Sequence, residues 1–238
     1  MIKKQKIGYK RIPKGRLEWF LTIFLVSWGI LSGGYAADAP SLRVDKMDFP
    51  KSQVFQSLTY YYDFESDDGG WTPSGPTTNW EYGLLVPGVY KNCGFTAWPY
   101  PEPTTAHSGN KVWGTILDGC YSNFNGISYL SKTFDFRGHP TTLELRWWQW
   151  YHIFEPYDQA TVLINDQEVW RVPNNVPTAG WVQQKVDISA FSGMESVTIR
   201  FALEATSEVN RMGWYLDDVE ITMIYSIYFP LIFKTHLE

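Results

Sequence analysis

The sequence has little cysteine and little histidine, with two cysteines and four histidines among 238 residues. The histidines are scattered, and no His-Glu-x-x-His motif or Cys/His cluster with zinc spacing occurs. Gly-rich phosphate loops, Walker motifs and an ordered Ser/His/Asp set are absent as well. These absences exclude the common zinc-peptidase, nucleotide-binding and serine-hydrolase signatures.

Positive charge is scarce beyond the N-terminus. The first 36 residues hold seven of the 20 basic residues, followed by an apolar run from Trp19 to Leu31 and the small-residue site Gly34-Tyr35-Ala36. This order of segments predicts an export signal peptide over 1–36, cleaved after Ala36. An uncleaved N-terminal anchor is the alternative, and either would place the folded part outside the cytoplasm.

Without that segment the chain is strongly acidic. The segment carries seven of 20 basic and one of 25 acidic residues, which leaves 13 against 24 and a net charge of −11. Nucleic-acid binding depends on Lys and Arg, so we expect no nucleic-acid partner. Docking on an anionic membrane surface is disfavoured for the same reason, whereas acidity suits calcium binding in an exported protein.

The two cysteines are Cys93 and Cys120. Exported proteins meet an oxidising environment, in which this pair can form a disulfide. Two separate thiols are the alternative that the sequence leaves open.

Hydrophobic alternation predicts strands throughout the domain, and no window shows a helical stripe. Residues 142–151 place Leu143, Leu145 and Trp147 on one face, and 196–203 alternate in the same way. Several short strands separated by turns indicate an all-β sandwich of two antiparallel sheets. We expect the Pro-rich stretch 72–125 to form long loops at one end of it.

Domain bounds follow from these patterns. We predict a signal peptide over 1–36, a polar lead-in over 37–57, a β-sandwich over 58–223 and an apolar tail over 224–238. The tail is too short to cross a bilayer. It could be an edge strand, an anchoring or sorting element, or a docking segment, so membrane contact is expected only through the signal or this tail.

Acidic residues bracket the domain. Asp63 and Glu65 lie near its start, and Asp217 and Asp218 near its end. Residues i and i+2 of a strand share a face, so Asp63 and Glu65 should point together while only one of the two later aspartates reaches a given site. If the terminal strands are neighbours, a Ca²⁺ ion would neutralise these carboxylates, because Ca²⁺ binds several oxygen ligands.

Eight short runs carry a resemblance to a known family. They are Asp63-Phe64-Glu65 with Gly70-Trp71, Trp80-Glu81-Tyr82-Gly83, 106–115, 119–123, 128–131, 145–151 and 213–219. Together they resemble the module that accompanies immune-inhibitor-A-type secreted metallopeptidases, and the related MAM-like and choice-of-anchor modules. The resemblance covers about residues 58–223.

The resemblance implies a jelly-roll β-sandwich of the concanavalin or galactose-binding kind, without catalytic residues of its own. It also implies a structural calcium ion near the first and last strands, held with the help of a Ser-Gly loop. In this sequence that expectation falls on Glu65, Asp218, Ser108 and Asn110, with Asp63 and Asp217 as further candidates. The peptidase domain that often precedes such modules is not in this sequence, so we expect no peptidase activity from it.

Aromatic residues are the candidate ligand contacts. Flat rings stack on sugar rings, and the candidates are Trp98, Tyr100, Trp148 and Trp150, although such residues also serve sandwich cores. A glycoside hydrolase would need two carboxylates, for which Glu144 and Glu155 are the pair to test. Arg146, two residues after Glu144, favours an ion pair instead.

The sequence therefore predicts a secreted or cell-surface bacterial protein that is not an enzyme. Its expected role is recognition or adhesion, with a glycan or an extracellular protein as partner and Ca²⁺ as a structural cofactor. A carbohydrate-active enzyme on the same sandwich and a structural envelope component are the alternatives.

Overall fold

The computed structural model of the chain describes residues 52–75, 79–88, 93, 102–173 and 177–229, and of 52–56 and 227–229 it describes the backbone alone. Within these ranges eleven strands form. They are β1 (Ser52–Tyr62), β2 (Thr72–Ser74), β3 (Trp80–Leu84), β4 (Lys111–Thr115), β5 (Gly126–Phe134), β6 (Thr142–His152), β7 (Gln159–Ile164), β8 (Gln167–Arg171), β9 (Val182–Asp187), β10 (Val197–Ala205) and β11 (Gly213–Phe229). A 3₁₀ turn, Ser189–Phe191, follows β9.

The strands form two antiparallel sheets. The first sheet has six strands in the order β3-β4-β11-β6-β9, with β1 also paired to β11, and the second has five in the order β2-β5-β10-β7-β8. Among the eleven described strands, only two pairs of consecutive strands, β3 with β4 and β7 with β8, are neighbours in a sheet. Every other connection between consecutive strands crosses from one sheet to the other. The prediction of an all-β jelly-roll sandwich of two antiparallel sheets is confirmed.

The main core lies between the sheets and follows the alternation in the sequence. Leu143, Leu145 and Trp147 of β6 are fully buried there. From the second sheet Phe201 meets Trp214 of β11, with ring centroids 5.5 Å apart. Aromatic rings bury large areas and prefer such tilted contacts, so they fill the interior densely.

A second, smaller core covers the outer face of the first sheet. Val112, Trp150 and Tyr215 point away from the main core, and Cys93, Ala106, Leu117 and Met212 pack on them. The disulfide Cys93–Cys120 fastens this cover to the chain near β5. The described parts of 72–125 therefore form three strands, β2, β3 and β4, together with segments that pack over a sheet face, so the expectation of long loops at one end of the sandwich is wrong.

The terminal strands extend beyond 58 and 223. β1 and β11 stay paired from Ser52 opposite Phe229 to Tyr62 opposite Val219. Regular pairing therefore includes the end of the predicted lead-in and the start of the predicted tail. The predicted signal segment 1–36 lies outside the described residues. In the part of the chain that the structure describes, no helix has the length and apolarity to cross a bilayer.

Candidate metal centre

A β-bulge in β11 shapes the site. Asp217 pairs with Trp148, but the next pair is Glu220 with Arg146, so Asp218 and Val219 together stand opposite one residue of β6. Asp218 has φ +46°, a left-handed conformation that aspartate tolerates better than most residues. An extra residue of this kind re-aims side chains next to functional sites.

The bulge shifts the alternation of β11 by one residue. Leu216 and Val219, three residues apart, both lie in the main core. Asp217 and Asp218 consequently both reach the site, and ligand atoms of His107, Asp217 and Asp218 lie within 4.8 Å of one another. The expectation that only one aspartate of the pair reaches a given site is wrong, because it assumed an unbroken strand.

The loop before β4 is tied to both aspartates. The Ser108 N–H donates to Asp217 Oδ2 over 3.1 Å, and the Ser108 hydroxyl donates to Asp218 Oδ1 over 2.9 Å. The Asp218 N–H donates to Asp217 Oδ1 over 2.8 Å. Asp217, which has no exposed surface, therefore accepts backbone hydrogen bonds on both carboxylate oxygens.

Asp218 is also held by two rings. Its Oδ2 lies 2.5 Å from His107 Nδ1, and its Oδ1 accepts a hydrogen bond from the Tyr61 hydroxyl. The His107 ring stacks on Trp148, with centroids 3.7 Å apart and planes 14° apart. Sequence reasoning missed His107 as a candidate, and its position directly before Ser108 was the only available signal.

Glu65 reaches the same loop from the other end of the chain. Its Oε1 accepts the backbone N–H groups of Asn110 and Lys111, each over 2.8 Å. Gly109 has φ +59°, and a Cβ there would lie 2.1 Å from Glu65 Cδ. Only glycine therefore allows the loop to fold directly over this carboxylate.

Asp63 and Glu65 do not share a strand face, because β1 ends at Tyr62. The chain turns at Phe64, which has φ +56° and is buried in the main core. Asp63 Oδ1 accepts the Glu65 N–H over 3.2 Å, so Asp63 orders the turn that presents Glu65.

The carboxylates differ in their electrostatics. Burial, together with the charge of Asp218, raises the pKa of Asp217 to about 7. The hydrogen bond from the Ser108 N–H acts in the opposite direction, because it favours the charged form. The N–H groups of Lys111 and Asn110 lower the pKa of Glu65. Burial and the bond to Asp218 raise the pKa of the Tyr61 hydroxyl. The site thus concentrates negative charge that its own groups neutralise only in part.

The group of His107, Asp217 and Asp218 could hold a metal ion. Carboxylate and hydroxyl oxygens suit a hard cation, whereas an imidazole nitrogen suits zinc and other transition metals. Ser108 adds a hydroxyl oxygen, whereas Glu65 contacts the loop at the Asn110 and Lys111 N–H groups and is not among the residues whose ligand atoms lie within 4.8 Å of one another. Oxygen donors are in the majority, so the donor set fits a hard cation better than a soft one.

The predicted ligand-binding aromatics have different surroundings. Trp148 is half-buried, and His107 covers one of its faces. Trp150 is only 8 % exposed and meets Trp181 edge-on at 6.1 Å, so its ring faces inside the second core. Trp98 and Tyr100 lie outside the described residues.

Glu144 and Glu155 do not form a catalytic pair. Glu144 is the third residue of β6 and pairs with Arg146, while Glu155 follows three residues after β6 ends at His152. A strand rises about 3.3 Å per residue, so the stretch from 144 to 152 alone spans roughly 26 Å. Glycosidases need their carboxylates within about 10 Å, which excludes this pair.

No family model matches the chain. One curated relative, bacillopeptidase F of Bacillus subtilis (strain 168), is 28 % identical over 240 residues, which is 91 % of this chain. The chain spans about 15 % of that relative's length.

Two solved structures overlap the sandwich. The adhesin domain K1 of Lys-gingipain from Porphyromonas gingivalis W83 has a TM-score of 0.41 and 18 % identity over 68 % of this chain and 96 % of that one. A family 35 carbohydrate-binding module from Clostridium thermocellum has a TM-score of 0.38 and 11 % identity over the same shares. The fold assignment itself comes from the strand pairing described above.

Proposed function

We propose that this chain is an exported, non-catalytic recognition module whose two terminal strands are joined through a calcium ion, and that it binds a glycan or an extracellular protein. One observation carries the proposal. Glu65 from the start of the domain and Asp217 and Asp218 from its end converge on one short loop, 107–111. This convergence concentrates carboxylate oxygens at one loop, and such oxygens suit Ca²⁺.

Asp218, the Ser108 hydroxyl and, once its side chain has turned toward them, Glu65 are the proposed calcium ligands. Asp217 positions them, since its two oxygens already accept the backbone N–H groups of Ser108 and Asp218. Asp63 accepts the Glu65 N–H and so orders the turn at Glu65, and the Asn110 N–H donates to the Glu65 carboxylate from the facing loop. A bound calcium ion would supply the charge that relieves the repulsion between neighbouring carboxylates, while His107 would give up its contact with Asp218.

Two further observations support a binding role over a catalytic one. The one carboxylate pair that the sequence offered for glycoside hydrolysis is far too widely separated. The matching relative is named as a peptidase, but this chain corresponds to a small share of its length. We therefore propose an accessory role beside such an activity. The disulfide is consistent with an extracellular location, and we propose secretion or cell-surface display.

Thermal melting with Ca²⁺ and with chelator tests the metal. A ligand that binds only the folded state at about 100 times its Kd stabilises it by about 2.7 kcal/mol. In a protein of this size the melting temperature should then rise by about 5–10 °C. Glu65→Ala should abolish the rise, and Glu144→Ala, which removes a half-buried ion pair away from the site, should keep it. Equal melting in both solutions, or a rise with Zn²⁺ alone, would reject the calcium site.

Glycan-array binding with Ca²⁺ and with chelator tests the ligand class. Trp148→Ala should weaken binding if the site itself contacts the sugar, and Tyr157→Ala is the control because Tyr157 is a 58 % exposed aromatic elsewhere. Binding that requires Ca²⁺ would support a lectin-like module. A folded protein that binds no glycan in either solution would redirect the proposal to a protein ligand.

A further inference from the structure

In the described ranges the sandwich has five strand edges, and four of them are poor sites for pairing with another chain. Proteins protect sheet edges with short strands, charges and proline. Each of these four has at least one such feature: β2 has three residues with Pro73, β3 has five with Glu81, β8 has five with Glu168 and Arg171, and β9 has six with Lys185 and Asp187.

The edge of β1 has none of these features. It is eleven residues long, Ser52–Tyr62, and contains no charged residue, no proline and no glycine. Its pairing with β11 runs without a bulge along its whole length. Among the described residues β11 is its only strand partner, so its other edge presents unpaired backbone groups.

The far end of β1 belongs to a two-stranded ribbon. The pairing of β11 with β6 ends at Ile224 opposite Thr142, whereas its pairing with β1 continues to Phe229 opposite Ser52. A two-stranded ribbon by itself is only marginally stable in water. A further strand along the free edge of β1 would turn it into a three-stranded sheet.

We propose that the free edge of β1 pairs antiparallel with β1 of a second copy of this chain, forming a two-fold symmetric dimer. The sequence of β1 supports this occupant, because an antiparallel self-pair of Ser52–Tyr62 sets no charged residues opposite each other. Beyond residue 36 the chain has a net charge of −11, so two copies repel each other over most of their surfaces. β1 is the long edge at which no like charges meet. In a two-fold pairing each strand faces its own sequence, as a closed symmetric interface requires.

Ser57 is the position at which to test the dimer. It is the middle residue of Ser52–Tyr62, so a full-length antiparallel self-pair sets it opposite its own copy. It is exposed, whereas its neighbour Leu58 packs against the main core. A charge at Ser57 therefore leaves the core unchanged and places two like charges face to face, which destabilises cross-strand pairs.

The experiment compares Ser57→Lys, Ser57→Glu and their equimolar mixture with the unchanged protein, using the full chain with its own N-terminal segment. Sedimentation velocity should show a concentration-dependent dimer whose Kd rises about fivefold in either variant alone. The mixture should recover the original Kd, because Lys then faces Glu. Ser207→Lys, at an exposed serine in a distant loop, should leave the Kd unchanged.

Amide hydrogen exchange gives a second readout at those residues of 57–62 whose N–H groups point away from β11. Their protection should rise with protein concentration in the unchanged chain and not in Ser57→Lys. A monomer at all concentrations, a dimer insensitive to both Ser57 variants, or a mixture that fails to recover would each overturn the proposal. Concentration-independent protection would overturn it too, because another segment of the same chain, such as 230–238, would then cover the edge.

Discussion

Replacing Gly109 with alanine should destabilise the protein through one contact. Gly109 has φ +59°, and its new Cβ would lie 2.1 Å from Cδ and 2.5 Å from both carboxylate oxygens of Glu65. Real Cβ atoms do not approach other atoms so closely, so the carboxylate must move. The move breaks its hydrogen bonds to the N–H groups of Asn110 and Lys111, each 2.8 Å long.

The cost has two parts. A non-glycine residue in the left-handed conformation costs about 1 kcal/mol. Losing two hydrogen bonds to a partly exposed carboxylate costs about 1 kcal/mol each. Gly109→Ala should therefore lower the free energy of unfolding by about 3 kcal/mol, or the melting temperature by roughly 6–12 °C in a protein of this size.

Urea denaturation in chelator measures this cost, with Gly88→Ala as the matched control. Gly88 also has positive φ, at +87°, but none of the described residues lies within 4 Å of its added Cβ. It should show the backbone cost alone, about 1 kcal/mol. In a Glu65→Ala background, Gly109→Ala should likewise cost only about 1 kcal/mol, since the obstructing carboxylate is gone. Equal costs at Gly88 and Gly109, or an unchanged cost without the Glu65 carboxylate, would refute the reasoning.

Three other perturbations test separate parts of the structure. The pKa of Asp217 is raised to about 7 in the folded state, so between pH 4 and 7 the folded protein binds a proton that the unfolded chain has lost. In chelator, the free energy of unfolding should therefore fall as pH rises from 4 to 7, by up to about 4 kcal/mol relative to Asp217→Asn. Reducing the Cys93–Cys120 disulfide, which spans 27 residues, should cost about 3.5 kcal/mol in urea denaturation. Gln149→Leu should cost about 3 kcal/mol, because its side-chain oxygen accepts two buried indole N–H groups at 2.8 and 3.0 Å.

Each of these predictions has a contradicting result. A stability difference between the unchanged protein and Asp217→Asn that stays flat from pH 4 to 7 would show that Asp217 remains ionised. Unchanged unfolding after reduction would mean that the bridge does not constrain the unfolded chain. Gln183→Leu, on the exposed side of β9, is the control for Gln149→Leu. Equal losses of stability in the two variants would contradict a stabilising role for the buried hydrogen bonds of Gln149.

The sequence by itself determined the fold class and indicated which segments form the candidate site. The alternation of apolar residues in β6 and β10 is a local pattern. A period of two residues matches the side-chain period of a strand, so it predicts a strand with one buried face. The acidic residues at 65 and 217–218 lie near the two ends of the domain, just after β1 and within β11, and the pairing of these two strands brings them to one loop. Ser108 and Asn110 were candidates only because of the family resemblance, and both lie in the loop 107–111 that contacts Asp218 and Glu65.

Tertiary structure alone decided how these residues are used. The bulge at Asp218 arises from the register between β11 and β6, strands more than 60 residues apart along the chain, and it reverses the face on which Val219 lies. The same long-range packing brings His107 onto Asp218 and encloses Trp150 in a second core. A local pattern gives the direction of a side chain only while the strand is regular, and it cannot tell which of a sheet's two faces another segment will cover. Those outcomes depend on contacts between distant residues, which exist only once the sheets have formed.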